Sequence, residues 1–429
     1  RHGRDHERAD LAQALIPKRT IPTEKGTLMS QAYIYDAVRT PRSKGKAGGT
    51  LNEVKPVRLA AGLLEALQER HDLDTAKVED VILGCIAPLM DQGSCIAKAA
   101  VMSAGWSESV PGVQLDRFCG SGLEAVNIAA AKVGSGQQDL VVAGGLESMS
   151  RVPLGSSGGP MLFDPEFVLG NKSAPQGIGA DLIATIDGYS REDVDAFAVE
   201  SQRRAAHARD NGWFDGSVVP VRDKSSLVIQ QRDDFIRPDT DLQQLGALQA
   251  SFEQMGGFGF DDMALAKYPE VQTINHVHTP GNSSGIVDGA SAVIIGSEQA
   301  GRDLGMDPRG RIIASTVIAT DPVIMLAGPG PAAHKCLKKA RLTVKDIDIW
   351  EINEAFASVA MRYMKDLGID HEITNVNGGA IAMGHPLGAT GGMLISTVLD
   401  ELERRDAKRA MVSLCIAGGM GISTLIERV

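Results

Sequence analysis

Apolar residues recur with two different spacings along the first third of the chain. Short alternating or wholly apolar runs, typical of strands, separate stretches in which apolar residues return roughly every three to four positions, typical of helices. Strands are predicted at 32–38, 80–85 and 140–143, and helices at 57–70, at 96–104 and from about Cys119 onward. This βαβαβ order predicts an α/β sheet with helices on its faces.

The same order of elements returns in the last third of the chain. Strands are predicted at 289–296, 310–319, 347–352 and 411–415, and helices at 332–340, 354–367 and 389–404. When EDVILGC is aligned with DIDIWEIN, DLVVAGG matches MVSLCIAGG, and Cys119 and His385 lie at similar distances downstream, each just before a helix. We therefore predict a duplicated α/β fold whose two halves face each other and bring the loops of Cys119, His385 and Cys415 together.

The regular pattern lapses between the two repeats. From 144 to about 272 the chain contains the loop-like SMSRVPLGSSGGPMLF, an amphipathic helix at 191–206 and the glycine-rich GGFGF. An excursion of this length is usually functional, so we expect an inserted cap. The predicted division is 29–150 plus 273–300 for the N-terminal half, 151–272 for the cap and 301–429 for the C-terminal half.

Residues 1–28 have no apolar run of the kind found in signal peptides and are expected to be a vector-derived or disordered extension.

Composition narrows the class of protein. The 429 residues include 48 glycines and 43% hydrophobic residues, as in a globular chain, and the net charge of −11 argues against a nucleic-acid partner. The five cysteines show no CxxC spacing, so we expect neither a disulfide framework nor a metal site, and infer a reducing, cytoplasmic compartment. The most apolar stretch, 411–426, is shorter than the roughly 20 residues that span a bilayer, so no membrane insertion is predicted.

Cys119 lies between an irregular stretch and a predicted helix, and Gly120 and Gly122 follow it. At a helix start, free backbone N–H groups and the helix dipole favour a thiolate, and flanking glycines leave room for a substrate, so Cys119 is a candidate nucleophile. Two other interpretations remain open on these residues alone: a buried structural cysteine, and a G-x-G-x-x-A dinucleotide fingerprint that ends at Ala125.

Three further positions are candidates for chemistry. His385 is the one ionisable residue of a glycine-rich loop, it precedes Pro386 at a predicted helix start, and its ordinary pKa suits a base that accepts a thiol proton. Cys415 ends an apolar strand before two glycines, where a buried inert thiol and a general acid or base are both possible. Asn353, which follows a strand together with Glu354, is as well explained by helix capping as by function.

Read together, these residues resemble the thiolases, the family of acetyl-CoA acetyltransferases and 3-ketoacyl-CoA thiolases. The resemblance runs from about Ala32 to the C-terminus, and its motifs stand in the family order: RFCGSGLEA from 117, GGLESMS from 144, SREDVDAFAVESQ from 190, TPGNSSGIVDGA from 279, EINEAFA from 351, NVNGGAIAMGHPLGATG from 375 and CIAGGMG from 415. It implies a layered α/β/α/β/α core with an inserted cap or loop domain.

The resemblance also implies a mechanism. Cys119 would carry the acyl group of a 3-ketoacyl-CoA, His385 would accept the thiol proton, and Cys415 would act as general acid and base. One oxyanion hole would consist of His385 and a water held by Asn353, the other of the N–H groups of Cys119 and Ala417.

Coenzyme A would be a co-substrate rather than a tightly bound cofactor. By the same resemblance, Arg237 would lie near its adenosine phosphates and Ser284 near its pantetheine. The family further suggests a homodimer or homotetramer that acts in fatty acid β-oxidation, with a hydratase/dehydrogenase as a partner.

Two positions depart from the family pattern. Ala417 stands where glycine is usual, so a positive φ there would be strained, and Asp116 replaces a common asparagine and should raise the pKa of the neighbouring thiol. These departures suggest one alternative, a catalytically idle acyl-CoA-binding homologue. A second is a biosynthetic thiolase that condenses two acetyl-CoA, whereas a cysteine hydrolase is disfavoured because Arg117 replaces the first glycine of its G-x-C-x-G turn.

Overall fold

A computed structural model describes residues 31–429, so the predicted extension 1–28 lies outside the described residues. The strands are β1 (Tyr33–Arg39), β2 (Ser43–Lys44), β3 (Asp80–Gly84), β4 (Val113–Leu115), β5 (Leu140–Ser148), β6 (Val221–Arg222), β7 (Val228–Gln230), β8 (Val287–Gly296), β9 (Gly310–Ala319), β10 (Ile349–Ile352), β11 (Arg409–Ile416) and β12 (Met420–Arg428).

The α-helices are α1 (Pro56–His71), α2 (Ile96–Ser103), α3 (Ser121–Gly134), α4 (Pro160–Phe163), α5 (Pro165–Gly170), α6 (Gln176–Asp187), α7 (Arg191–Asp210), α8 (Leu242–Gly246), α9 (Glu253–Met255), α10 (Asp261–Leu265), α11 (Glu298–Leu304), α12 (Pro329–Ala340), α13 (Ala357–Leu367), α14 (Ala380–Met383) and α15 (Thr390–Arg404). Within residues 31–429, every helix is too short or too polar to cross a membrane.

The large sheet shows the duplication directly. Its strands lie in the order β10-β11-β12-β9-β1-β8-β5-β3-β4, and β2 pairs with β8. In one half β3 and β5 are parallel while β8 and β1 add antiparallel, and in the other β10 and β11 are parallel while β12 and β9 add antiparallel. The halves meet where β1 pairs with β9 at Ile34 and Gly310. The predicted duplicated α/β fold is therefore confirmed.

The two half-sheets enclose a central pair of helices. Side chains of α3 and α15, such as Val126 and Ile395, pack against Ile82 from one half-sheet and Val412 from the other. The next residue along β3, Leu83, points to the opposite face and packs under α1 and α2. The outer face of the second half-sheet is covered by α12 and α13. Both faces of each half-sheet are buried, which gives the layers α/β/α/β/α and explains why the strands read as apolar runs.

The predicted elements differ from the structure at three places that bear on the site. Strands β4 and β12 were not predicted, because β4 is three residues long and β12 is interrupted by polar residues. The helix predicted from 354 begins at Ala357, with Phe356 at its N-cap, so Asn353 is not a helix cap. The helix after His385 begins at Thr390, which leaves Pro386 in a turn rather than at a first helical position.

The segment between β5 and β8 contributes no strand to the large sheet and consists of α4 to α10 with the β6–β7 hairpin. An ion-pair cluster holds part of this segment together. His276 lies between two carboxylates, with Nδ1 2.8 Å from Asp181 on α6 and Nε2 2.9 Å from Asp261 on α10. Asp181 also contacts Nδ1 of the buried His278 at 2.6 Å. Because both of its ring nitrogens face carboxylates, His276 is held as an imidazolium. The pKa of His276 is raised to about 9, and the hydrogen bond to Asp181 is the largest cause of that rise.

This ion pair predicts a pH-dependent stability. A histidine pKa raised by folding stabilises the protein fully below its ordinary value near 6.5, and the contribution is lost as pH rises through about 9. Wild-type protein should exceed His276→Gln in free energy of unfolding by on the order of 1 kcal/mol at pH 6, after allowance for solvent screening, and the difference should vanish above pH 9. Urea unfolding at both pH values measures it.

His334→Gln is the matched control, since the ring of His334 is exposed and contacts a backbone carbonyl rather than a carboxylate. A difference between wild type and His276→Gln that stays constant from pH 6 to pH 9.5 would contradict the charged pairing.

Candidate active site

Cys119 occupies a tight turn immediately before α3. Phe118 has a φ of 45°, the left-handed conformation that non-glycine residues rarely adopt. Two side chains stabilise the turn: Asp116 accepts the Phe118 N–H at 2.7 Å, and the Ser121 hydroxyl accepts the Arg117 N–H at 2.8 Å while it donates to the Phe118 carbonyl at 2.7 Å. The position of Cys119 is therefore fixed by short-range bonds within its own motif.

The turn lies directly against the loop that carries His385. A Cβ on Gly122 would lie 2.5 Å from the carbonyl oxygen of Gly388, closer than real Cβ contacts allow. Leu387 packs in the same small apolar cluster as Cys119. Gly122 therefore lets the two loops touch, a role in addition to the room for a substrate that the sequence predicts.

The Cys119 thiol is almost fully buried. Burial is the largest cause of the rise in its pKa, which reaches about 11. The backbone N–H groups of Ala417 and of Cys119 itself act on the thiol and oppose this rise, whereas the charges of Asp116 and Glu147 add to it. The expectation that the helix start makes Cys119 a ready thiolate is thus wrong, because loss of water outweighs the N–H groups. A base is needed to activate this thiol.

Both departures from the family pattern fit this geometry. Positive φ values fall on Gly418 and Gly419, and Ala417 is absent from the positive-φ residues within 31–429, so its side chain causes no strain. Its N–H still reaches the Cys119 sulfur. Asp116 raises the thiol pKa, as predicted, but it also holds the Phe118 turn in place.

His385 is oriented by Thr390. The Thr390 hydroxyl donates to the Pro386 carbonyl at 2.9 Å, so its oxygen accepts a hydrogen bond from Nδ1–H of His385 at 2.6 Å. The unprotonated Nε2 is buried and has no hydrogen-bond partner among the described residues. Burial, followed by the charge of the buried Arg42, lowers the imidazole pKa to about 3. His385 is therefore neutral and presents a free lone pair.

Cys415 lies near the end of β11, and Asn353 directly follows the adjacent parallel strand β10. Cys415 is fully buried, and burial, followed by the neighbouring Cys119 thiol, raises its pKa well above the ordinary value. The Asn353 N–H donates to the Ser413 carbonyl at 3.0 Å, which anchors it two residues from Cys415. Both polar atoms of the buried Asn353 side chain lack a partner within residues 31–429. Such orphaned groups are uncommon and call for a water or a ligand.

Two buried glutamates hold the loops together. The sequence analysis did not predict these structural roles. Glu147 accepts the N–H groups of Ile86 and Gly388, each at 3.0 Å, so it ties the His385 loop to the end of β3. Glu354 accepts from the Ser201 hydroxyl at 2.6 Å and from Asn375 at 2.9 Å. Burial is the largest cause of the raised pKa of each carboxyl group. The available signal was an acidic residue inside two glycine-rich or strand-end motifs, GGLES and INEAF.

Ser284 and Arg237 lie outside this group of four. The Ser284 N–H donates to the Ala355 carbonyl at 2.9 Å. The residue after Ser284, Gly285, accepts the His385 N–H at its carbonyl oxygen at 2.9 Å. Arg237 is exposed, its guanidinium lies 5.3 Å from the centre of the Phe235 ring, and that ring packs on Gly285. No carboxylate in residues 31–429 forms an ion pair with Arg237. It is a cation available to an anionic ligand near the His385 loop.

The charge of Asp116 yields a testable prediction. Asp116→Asn keeps an oxygen that can accept the Phe118 N–H but removes the charge that raises the Cys119 pKa, so the thiolate fraction should increase. In a Cys95→Ser background, which removes the exposed thiol, labelling of Cys119 by iodoacetamide at pH 8 should be about 3- to 10-fold faster than without the change. Mass spectrometry of the labelled peptide measures the rate. Equal rates would show that Asp116 does not influence the thiol.

Comparison with known proteins agrees with this geometry. Residues 32–259 match the model of the thiolase N-terminal domain, and residues 306–428 match that of the thiolase C-terminal domain. The chain is 38% identical to the 3-oxoadipyl-CoA/3-oxo-5,6-dehydrosuberyl-CoA thiolase of Escherichia coli K12, over 94% of this chain and 100% of that protein. It is 38% identical to a steroid 3-ketoacyl-CoA thiolase of Mycobacterium tuberculosis, over 94% and 96% of the two chains.

Solved structures give the same result. Human mitochondrial 3-ketoacyl-CoA thiolase in complex with CoA superposes with a TM-score of 0.81 at 32% identity, covering 94% of this chain and 99% of that one. The Bacillus anthracis acetyl-CoA acetyltransferase superposes with a TM-score of 0.80 at 31% identity, covering 94% and 100%. This chain belongs to the thiolase family.

Proposed function

We propose that Cys119, His385, Cys415 and Asn353 carry the reaction of this thiolase, the degradative cleavage of a 3-ketoacyl-CoA by CoA. The observation that supports these roles most strongly is the contact between the Cys119 turn and the His385 loop, where Gly122 lies against the Gly388 carbonyl and Leu387 packs with Cys119. His385 supplies a neutral imidazole with an unpartnered Nε2. The arrangement suits an acyltransferase with a covalent acyl-enzyme.

In the first half-reaction, Nε2 of His385 takes the Cys119 proton and the sulfur bonds to the 3-keto carbon. The bond between C2 and C3 of the substrate then breaks, which leaves an acyl group on Cys119 and the enolate of acetyl-CoA. The Cys415 S–H donates its proton to that enolate, and acetyl-CoA departs. The raised pKa of Cys415 suits this step, because a weakly acidic thiol matches a strongly basic carbanion.

In the second half-reaction, the incoming CoA thiol passes its proton to the Cys415 thiolate and attacks the acyl group. Cys119 leaves as a thiolate and recovers its proton from His385, which restores the starting state. The N–H groups of Ala417 and Cys119 would stabilise the oxyanion of the thioester, a role supported by their effect on the Cys119 pKa. His385 and a water held by the unpartnered Asn353 amide would stabilise the other oxyanion.

The segment 151–272 is proposed as a CoA-binding cap over the two halves, 29–150 with 273–300 and 301–429. Arg237 would pair with adenosine phosphates, supported by its exposed, unpaired guanidinium above Phe235. Ser284 would contact the pantetheine, supported by the packing of its loop on Ala355 and His385. Coenzyme A acts as a co-substrate, and we propose no tightly bound cofactor.

Assembly and location are also proposed. All five cysteines are free thiols, which favours a reducing compartment such as the cytoplasm. Strand β4 lies at the end of the large sheet and leaves an unpaired edge, which favours a homodimer or homotetramer in which a second copy covers it. Because the substrate is the product of a 3-hydroxyacyl-CoA oxidation, a hydratase/dehydrogenase is a suitable partner.

Substitutions of Cys119 and of Cys415 should have different effects on cleavage of acetoacetyl-CoA and on exchange of CoA. Cys415→Ser should reduce cleavage of acetoacetyl-CoA by about 10²- to 10⁴-fold, since the enolate loses its acid. It should reduce exchange of labelled CoA into acetyl-CoA by less than about tenfold, because exchange forms no C–H bond and the CoA thiol, unlike a carbon acid, can lose its proton to water when Cys415 is absent. Cys119→Ser should abolish both reactions, which steady-state and isotope-exchange assays measure.

Cys336→Ser provides the matched control, because Cys336 is a buried thiol that contacts the Ala314 carbonyl in the outer helix layer. Both reactions should keep wild-type rates in this variant. Equal loss of cleavage and exchange in Cys415→Ser would contradict the role of Cys415 as a carbon acid and base.

Arg237 should affect binding rather than chemistry. Arg237→Ala removes a cation that would contact the phosphates equally in the ground and transition states, so KM for CoA should rise about 3- to 10-fold with kcat unchanged. Arg302→Ala, on the exposed helix α11 and already paired with Glu298 at 2.7 Å, is the control. A fall in kcat with an unaltered KM would contradict this placement.

A further inference from the structure

Exposed apolar side chains are concentrated in one segment of the cap. Leu154, Leu162, Phe163 and Leu169 lie within 16 residues of one another and are each 57–69% exposed. Solvent exposure of several large apolar side chains in one short segment is unfavourable unless something covers them, and such patches commonly mark binding surfaces.

This apolar segment begins in the cluster that contains the proposed nucleophile, Cys119. Met149 and Val152, just upstream, are buried in the small cluster that contains Cys119 together with Ile86 and Leu387. The chain then runs through Leu154 to the short helices α4 and α5. The segment is therefore continuous along the chain with the apolar cluster that contains Cys119.

Helix α4 also returns to the site in space. The Met161 side chain lies against Gly418, since a Cβ on that glycine would lie 3.0 Å from the Met161 Cε. Gly418 follows Ala417, whose backbone N–H lowers the Cys119 pKa and so lies near that thiol. The next two residues after Met161, Leu162 and Phe163, face solvent, so the apolar surface leads from the reacting sulfur outward.

The charges around the Cys119 sulfur disfavour a substrate whose acyl chain ends in a carboxylate. The acidic groups that act on Cys119 are Asp116 and Glu147, and both would repel a terminal carboxylate. Between Met149 and Gly170 the one basic side chain is Arg151, and Asp91 already pairs with it at 2.6 Å. This segment thus offers apolar contact and no available cation.

We propose that the segment 149–170, with Met161, Leu162 and Phe163 at its centre, binds the acyl chain of an uncharged, long-chain 3-ketoacyl-CoA. The inference rests on the proposed function, because it requires an acyl group on Cys119. Each methylene of the chain that covers this surface leaves water, which favours longer chains. A 3-ketoacyl-CoA with a terminal carboxylate gains no comparable contact.

The experiment compares kcat/KM of the full chain for acetoacetyl-CoA, 3-oxohexadecanoyl-CoA and 3-oxoadipyl-CoA. The ratio of the 3-oxohexadecanoyl to the acetoacetyl value should exceed about tenfold, and 3-oxoadipyl-CoA should be the poorest of the three. The double variant Leu162→Ser/Phe163→Ser should lower that ratio about tenfold. Both side chains are exposed, so folding should not depend on them.

The matched control is Met102→Ser/Leu227→Ser, which removes two side chains of similar exposure from α2 and from the β6–β7 turn. It should leave the ratio at its wild-type value. A wild-type ratio near one, a preference for 3-oxoadipyl-CoA, or an unchanged ratio in Leu162→Ser/Phe163→Ser would each overturn the inference. An unchanged ratio with a smaller sedimentation coefficient would show that a second copy of the chain covers the patch instead.

The proposed function is tested separately by the acetoacetyl-CoA measurement, since that substrate has no chain to bind. If the wild-type protein fails to cleave acetoacetyl-CoA and every longer substrate, the proposed function fails and the inference fails with it. Cleavage of acetoacetyl-CoA without the chain-length effect overturns the inference alone.

Discussion

Backbone-to-backbone contact between glycines is the constraint on which the site depends. A Cβ on Gly145 would lie 2.0 Å from the Gly388 carbonyl oxygen, and a Cβ on Gly122 would lie 2.5 Å from the same atom. Any side chain at these positions would push the His385 loop away from the Cys119 turn. The small-residue composition of the chain is therefore a requirement of the site, since loops from two halves can meet only where volume is absent.

Burial sets the chemistry that this contact makes possible. Exclusion of water raises the thiol pKa values of Cys119 and Cys415 and lowers the imidazole pKa of His385. All three groups are neutral at rest, so in the proposed mechanism charge would appear only during the reaction, where the N–H groups of Ala417 and Cys119 would stabilise it. The loops that carry these groups are held by the buried carboxyl groups of Glu147 and Glu354 rather than by apolar packing alone.

Residue patterns predicted much of the secondary structure, because both half-sheets are buried on two faces and their strands read as apolar runs. Strand β9 lies at the predicted residues, α1 differs from the prediction by one residue at each end, and α2 differs by one residue at its C-terminal end. Prediction failed where a distant partner decides the outcome. Strand β12, with its serine, threonine and glycine residues, is held between β9 and β11, and the start of α13 is set by the contact of Phe356 with Ser283.

The sequence by itself determined the duplication, the family and the short turn at Cys119, since these depend on residues near one another in the chain or on repeated order. Only the tertiary structure decided the protonation of the site. A glycine-flanked cysteine at a helix start indicates a thiolate locally, yet the layers that cover Cys119 remove the water that a thiolate needs. For Asn353 the sequence left helix capping and function equally open, and the structure excludes the cap, because α13 begins at Ala357 while the Asn353 side chain is buried and unpartnered within residues 31–429. Burial and long-range contacts depend on the packing of both halves, which no local pattern contains.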